Sequence, residues 1–180
     1  MKKLLFMLLL LSPLPVGALE PENFYTYDAM VCMKTGECTK DIHELTIQSE
    51  EEKELLRLLK ILDIEVYKAA PIYFTNNYRA LYYPDINTIF INARYWDDQL
   101  ELLRHEAWHV AQDCKVGLHN SNLVPLRDHT EVPVDYKEDA ILRYGTDDPY
   151  VHKIEREAIW AGDVAWMSYL ELEKCVKKDL

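Results

Sequence analysis

The sequence predicts an α+β fold in which a small antiparallel sheet packs on a motif helix and a long C-terminal helix. Apolar residues recur at helical spacing in separate stretches near the start, middle and end of the chain, which indicates amphipathic helices. Short segments rich in β-branched and aromatic residues lie between the first two stretches and indicate strands. Neither repeats nor low-complexity linkers interrupt the sequence, so residues 19–180 are expected to form a single domain.

The first predicted helix follows Ser49. Ser49 and Glu52 have the spacing of a capping box, in which each side chain bonds the backbone amide of the other residue. This helix is expected to run on toward Pro71. The apolar residues that follow the cap at helical spacing are Leu55, Leu58, Leu59 and Leu62.

Three short strands are predicted next, at Ile72–Phe74, Ala80–Tyr83 and Thr88–Asn92. The last two are expected to be joined by the turn Pro84–Asn87, which contains typical turn residues. Tyrosines and phenylalanines are frequent in this part of the chain, and we expect them to belong to the sheet and the core.

The second half of the chain is predicted to be mainly helical. A helix with Asp98 as its N-cap is expected to reach about Cys114, and the long loop Lys115–Asp135 follows it. A short helix, Lys137–Tyr144, and a turn that ends at Pro149 precede the last helix, about Tyr150–Val176.

The N-terminus has the features of a secretory signal peptide. Lys2 and Lys3 precede the apolar run Leu4–Leu11, and Val16-Gly17-Ala18 offers a cleavage site. The run is too short to span a bilayer. Residues 1–18 are therefore expected to be removed, and the mature protein to be secreted or periplasmic without stable membrane insertion.

The mature chain is strongly acidic. Loss of residues 1–18 removes two of the 20 basic residues, so 18 basic residues face 31 acidic ones and the net charge is 18 − 31 = −13. Such a surface repels nucleic acid and anionic lipid, so neither is an expected partner.

Four cysteines follow the signal peptide, and an even number in an exported chain favours disulfides over metal ligation. Cys32 and Cys38 flank a turn-like segment and are predicted to pair, which leaves Cys114 to pair with Cys175. A zinc-thiolate site would need close C-x-x-C spacing, which this chain lacks.

The residues His105-Glu106-Ala107-Trp108-His109 match the motif H-E-x-x-H. Residues four apart project from one side of a helix, so His105 and His109 can bind one Zn²⁺. Glu106 then lies beside the metal, where it can take a proton from zinc-bound water. The two histidines lie opposite an apolar stripe made of Leu100, Leu103, Ala107, Val110, Ala111 and Cys114.

A catalytic zinc ion has three protein ligands and one open position. Glu155 falls inside the broad apolar side of the last helix, where a carboxylate needs a partner that zinc would supply. A buried basic partner, or the favourable dipole at the N-terminus of the helix, would explain Glu155 without a metal. Glu157 falls outside the edge of the apolar side and is the second choice of ligand.

With these residues, the chain resembles the zincin metallopeptidases and, among them, the gluzincins. The resemblance rests on His105–His109 with the continuation Val110-Ala111-Gln112, and on Glu155-Arg156-Glu157-Ala158. It covers about residues 80–170. It implies a zincin-like fold, Glu155 as the third zinc ligand, and Thr88–Asn92 as the edge strand that pairs with an extended substrate.

The chain also departs from the zincin patterns. Ile159 stands where gluzincins often have an acidic residue, so a partner for a ligand histidine must come from elsewhere. The metzincin extension is missing, because Gln112 and Lys115 stand at the positions of its glycine and histidine. An aspzincin-like segment, Gly145-Thr146-Asp147-Asp148, makes one of its two aspartates a minor alternative ligand.

The expected function is therefore peptide bond hydrolysis by zinc-activated water, with Glu106 as general base and a peptide or protein as substrate. His152, Tyr144 or Tyr150 could stabilise the tetrahedral intermediate. Two alternatives stay open at this point. One is a zincin-fold binding or inhibitory module without turnover, and the other is a structural zinc domain with four protein ligands.

Overall fold

The computed structural model describes residues 42–74, 78–118, 122–128, 130–144 and 148–179. These residues form an α+β fold, as predicted. None of the described helices combines the length and the apolar character needed to cross a membrane. The elements are β1 (Ile42–Glu44), α1 (Glu50–Ile61), β2 (Glu65–Ala69), β3 (Ala80–Tyr83), β4 (Thr88–Asn92), α2 (Gln99–Cys114), α3 (Val134–Tyr144), α4 (Pro149–Asp163) and α5 (Met167–Asp179).

The sheet has the strand order β1-β2-β4-β3 and mixed pairing. β4 runs antiparallel to β3 but parallel to β2, and β1 is antiparallel to β2. The expectation of a purely antiparallel sheet is therefore wrong, because it assigns Glu65–Ala69 to the first helix and so omits the strand that pairs in parallel. The predicted strands Ala80–Tyr83 and Thr88–Asn92 are confirmed.

The first helix begins as predicted but ends earlier. The Ser49 hydroxyl accepts a 3.1 Å hydrogen bond from the Glu52 amide, while the Glu52 carboxylate bonds the amide of Gln48 instead of returning to Ser49. Asp63 adopts a left-handed conformation with φ 59° just beyond the helix, and the chain then enters β2. The predicted strand Ile72–Phe74 is also wrong, since a 3-10 helix occupies Pro71–Tyr73.

The core lies between the sheet and the helices α1, α2 and α5. Ile89 and Ile91 of β4 belong to the same buried cluster as Leu103, Ala107 and Val110 of α2, which confirms the predicted apolar stripe of the motif helix. Leucines of α1 and the C-terminal part of α5 complete this cluster. The motif helix is thus held in place by its apolar side, and the opposite side is left to face α4.

The long C-terminal helix predicted for Tyr150–Val176 is two helices, α4 and α5. Val164 between them is extended, and Trp166 is left-handed with φ 65°. The break lets α4 pack on α2 and α3 while α5 packs on α1 and α2, which one straight helix could not do. The buried ion pair Glu51–Arg104 bonds the backbone on both sides of Val164: Arg104 donates to the Gly162 carbonyl, and Glu51 accepts from the Trp166 amide.

A disulfide joins Cys114 at the end of α2 to Cys175 on α5, with Cα atoms 6.1 Å apart, so this predicted pair is confirmed. Because the C-terminal region is broken into two helices, the disulfide does not tie α2 to the helix that carries Glu155. It ties α2 to the helix that closes the core. The predicted signal peptide and the predicted pair Cys32–Cys38 lie outside the described residues.

Candidate metal centre

The side of α2 that faces α4 carries the motif histidines. His105 and His109 lie one turn apart there, with side chains only 14% and 7% exposed. Gly162 allows the two helices to approach closely at this point. A Cβ atom on Gly162 would lie 3.3 Å from the carbonyl oxygen of Glu101 and 3.7 Å from the Cβ atom of His105.

Glu155 on α4 faces both imidazoles. Its Oε2 atom lies 3.5 Å from Nε2 of His105 and 3.6 Å from Nε2 of His109. The two Nε2 atoms are 3.2 Å apart. The structure therefore brings together the three residues that the sequence selects as metal ligands, and these residues form a group that could hold an ion.

The three ligand atoms form a nearly equilateral triangle of the size that a small ion requires. A tetrahedral ion bound at about 2.0–2.1 Å holds its ligand atoms about 3.3–3.4 Å apart, which agrees with the observed separations. Oε2 of Glu155 is buried and, apart from the two imidazoles that face it, has no hydrogen-bond partner in the part of the chain that the structure describes. A cation between the three groups would satisfy this oxygen, so the residues fit a metal.

Without a metal, the charges of this group balance through a proton. Burial alone would lower the pKa of His109, but the facing carboxylate of Glu155 outweighs burial and raises that pKa to about 9. Burial would raise the pKa of Glu155, but the charge of His109 and the facing imidazole of His105 lower it below its ordinary range. At neutral pH, the Glu155 carboxylate is therefore balanced by a protonated imidazole.

Glu106 lies beside this group without belonging to it. Its side chain is buried and lines the same cavity as His105. Burial raises the pKa of the Glu106 carboxyl above its ordinary value, against the lowering effects of the two histidines and of a hydrogen bond from the Tyr82 backbone. A raised pKa makes a carboxylate a stronger base.

A cavity of about 270 Å³ opens beside His105. Its walls are formed by Tyr78–Ala80 at the start of β3, by α2 between Glu101 and Glu106, by Ile159 and Gly162 of α4, and by Arg143 of α3. The site is therefore reached from a cleft between the sheet edge and three helices.

The strand beside this cleft is β3, at the edge of the described sheet. The expectation that Thr88–Asn92 is the edge strand is wrong. That segment is β4, which pairs on both sides and is buried at every residue. The three central residues, Ile89-Phe90-Ile91, are apolar in succession, which is typical of a strand covered on both faces.

Asp98 precedes α2 as predicted, but its side chain does not cap the helix. It forms an ion pair with Arg79, and Arg79 also binds Glu101. These two ion pairs hold the start of β3 against the first turn of α2. The Asp98 side chain therefore stabilises the wall of the cleft and does not cap the helix.

Glu157 does not lie outside the buried surface of α4, as the helical wheel suggests, but is fully buried. Its carboxylate accepts hydrogen bonds from the Trp108 indole, the Gln112 amide and the backbone amides of Leu126 and Arg127. The wheel fails because the segment 122–128, predicted only as loop, covers a second side of α4. Glu157 does not belong to the three-residue metal group.

The remaining candidates have different surroundings. His152 lies one turn before the carboxylate of the metal group, and its buried Nε2 has no hydrogen-bond partner among the described residues. Tyr150 donates to a backbone carbonyl of the segment 122–128. Asp148 is the N-cap of α4, where its carboxylate accepts a hydrogen bond from the Tyr150 backbone amide, and it does not belong to the three-residue group. Asp147 and the Tyr144 side chain lie outside the described residues.

Gln112 contacts the three-residue metal group, although the sequence did not predict a role for it in the site. Its Oε1 atom lies 2.8 Å from Nδ1 of His109, on the side of the ring away from the other ligands. The signal in the sequence is the spacing, since a residue three positions after His109 lies on the same side of the helix. The Gln112 amide is therefore a polar partner of the His109 imidazole, which Ile159 cannot be.

No protein-family model matches this chain, and neither a curated protein nor a solved structure does.

Proposed function

We propose that this chain is an exported zinc metallopeptidase with a zincin-like site. The observation that carries the proposal is the triangle of His105, His109 and Glu155 ligand atoms, with buried Glu106 beside it on the wall of an open cleft. Two imidazoles and a carboxylate as ligands, with a separate glutamate between the histidines in sequence, are the parts used by H-E-x-x-H metallopeptidases.

Zinc is the metal that these donors favour. Imidazole nitrogen and carboxylate oxygen at tetrahedral separations suit Zn²⁺, whereas Ca²⁺ and Mg²⁺ prefer six or more oxygen ligands. When bound, zinc would supply Lewis-acid activation of a water molecule and of the substrate carbonyl. Three protein donors leave one coordination position for water or substrate, which the four protein ligands of a structural site would not.

Glu106 is the proposed general base. Its carboxylate lines the cleft, outside the ligand triangle, so it can accept a proton from water and pass it to the leaving amine. A purely structural or binding site would gain nothing from a buried carboxyl at this position, because burying it costs free energy.

A peptide in extended conformation is the proposed substrate. β3 lies at the sheet edge and enters the cleft wall at Ala80. Edge strands present unpaired backbone groups that bind an extended peptide by adding it as a further strand. The ion pairs of Arg79 with Asp98 and Glu101 support this wall, so the strand is held at a constant position beside the site.

Export is proposed from the predicted signal peptide at residues 1–18. The disulfide Cys114–Cys175 supports it, because disulfides persist mainly in oxidising compartments. N-terminal sequencing of protein secreted from an expressing cell should begin at Leu19. A mature chain that still begins at Met1 would contradict export by this route.

The decisive experiment measures zinc content and peptide hydrolysis in the purified mature chain. Wild-type protein should hold one zinc per chain and cleave members of a mixed peptide library. Glu106→Gln should keep the zinc and lose about 10²–10⁴-fold in hydrolysis rate, the usual contribution of general base catalysis. Glu138→Gln on α3, an exposed glutamate, is the matched control and should retain full activity.

The result also separates the alternatives. Zinc binding without hydrolysis of any peptide in wild-type protein would favour a structural or binding module. If repleted protein binds no zinc, the proposed function is wrong.

A further inference from the structure

Gln112 connects the metal group to the interior of the protein. Its side chain is fully buried, with its carbonyl oxygen toward His109 and its nitrogen toward α4. The nitrogen donates to the carbonyl of Ile154 at 3.1 Å and to Oε2 of Glu157 at 3.1 Å. One amide therefore contacts a ligand histidine on one end and two acceptors on the other.

The two acceptors assign the orientation of this amide. A carbonyl oxygen and a carboxylate oxygen can only accept, so the nitrogen of Gln112 must face Ile154 and Glu157. Its oxygen then faces His109, and an oxygen can only accept from Nδ1 of that ring. The neutral imidazole of His109 must therefore carry its proton on Nδ1, which leaves the lone pair on Nε2, the atom that faces His105 and Glu155.

The carboxylate of Glu157 in turn acts as an acceptor. Four N–H groups surround its carboxylate: the Trp108 indole at 3.2 Å, the Gln112 amide, and the backbone amides of Leu126 at 2.8 Å and Arg127 at 3.0 Å. Two of these amides belong to the segment 122–128. The segment 122–128 therefore contributes to the orientation of His109 indirectly, through Glu157 and Gln112.

We propose that Gln112 and Glu157 are positioning residues that fix the Nδ1–H tautomer of His109 and so present its Nε2 to a metal. This inference rests on the metal site of the proposed function, but not on peptidase activity. Partners of this kind typically change metal affinity about 10–100-fold when removed, since an imidazole with an undefined tautomer is a poorer ligand.

The first test uses the wild-type protein. Long-range ¹H–¹⁵N NMR of zinc-loaded protein labelled at histidine should find the His109 proton on Nδ1 and the metal on Nε2. The metal-free protein, at a pH where the ring is neutral, should show the same Nδ1–H tautomer. A neutral His109 with its proton on Nε2 would overturn the proposal, whether or not any variant folds.

The second test uses variants with a matched control. Gln112→Met keeps the length of the side chain but removes the amide, and should lower zinc affinity about 10–100-fold and give a mixture of His109 tautomers. Glu157→Gln should act in the same direction, because its amide can present an N–H to Gln112 and allow that side chain to turn over. Zinc affinity is measured by chelator competition.

The control is Gln99→Met. Gln99 is a buried glutamine on the same helix, and its nitrogen bonds the Thr46 carbonyl and Glu52. This variant should lose stability but keep the wild-type zinc affinity and His109 tautomer. If Gln99→Met and Gln112→Met lower zinc affinity equally, the role of Gln112 is only structural and the proposal fails. Protein that binds zinc through the expected tautomer but cleaves no peptide would disprove only the proposed function.

Discussion

The two sides of the motif helix α2 are built from different chemistry. Toward the sheet, Leu103, Ala107 and Val110 are fully buried among other apolar side chains. Toward α4, the polar side chains of His109 and Gln112 are buried beside an apolar cluster of Trp108 with Ala158 and Ala161. The sheet side is therefore dominated by apolar contacts, whereas the α4 side mixes apolar contacts with buried polar groups.

The two sides contribute differently to the free energy of folding. Burying apolar surface stabilises the fold, by roughly 25 cal/mol for each Å² removed from water. Burying polar groups costs free energy that hydrogen bonds only offset, so a polar core adds little stability even when its partners are well arranged. We therefore expect changes on the sheet side to alter stability and changes on the α4 side to alter metal binding.

The largest expected effect on stability comes from the disulfide. Replacing both Cys114 and Cys175 with serine opens a loop with a sequence separation of 61 residues. The chain-entropy model predicts a loss of about 4 kcal/mol in the free energy of unfolding. Denaturant unfolding should measure that loss, while zinc affinity of the folded fraction stays near the wild-type value. A large drop in affinity would mean that the two sides of α2 are not independent.

Leu103→Ala tests the apolar side directly. Leu103 is fully buried, so its truncation leaves a cavity and should cost about 3 kcal/mol in the free energy of unfolding. Leu100→Ala, on the partly buried rim of the same cluster, is the control and should cost less. Equal losses at the two positions, measured by urea unfolding, would contradict the burial that defines this side.

Glu155→Gln tests the polar side. A neutral amide is a poorer zinc ligand than a carboxylate, so affinity should fall about 100-fold, which corresponds to about 2.7 kcal/mol at 25 °C. The stabilisation that saturating zinc gives the wild-type protein should shrink accordingly. Zinc titrations followed by thermal melting measure both quantities. Unchanged affinity would remove Glu155 from the ligand set.

The smallest expected effect comes from the N-cap of α1. Ser49→Ala removes the N-cap hydrogen bond to Glu52 and should cost about 1 kcal/mol, as caps of this kind usually do. Zinc affinity and hydrolysis should not change. Ser49→Asp, which keeps a capping oxygen, should restore most of the stability; its failure to do so would mean that the cap is not the cause.

The three candidate metal ligands, His105, His109 and Glu155, were predictable because each was selected from local spacing within its own helix. Two histidines four residues apart meet on any α-helix, and a carboxylate on the packing side of a later helix must find a partner. Glu157 was not predictable in the same way. Its burial depends on the segment 122–128, which has no periodicity and reaches α4 only through the tertiary fold.

The sequence predicts those features that depend on residues close together in the chain. These are the α+β class, the cap at Ser49, the strands β3 and β4, and the apolar and polar sides of α2. The parallel pairing of β2 with β4 and the break of the last helix at Val164–Trp166 could not be predicted and are seen only in the tertiary structure. Both depend on contacts between residues distant in the chain. The C-terminal region packs on α2 and α3 before the break and on α1 and α2 after it, and one straight helix could not make both sets of contacts. The local sequence does not show where these partners lie.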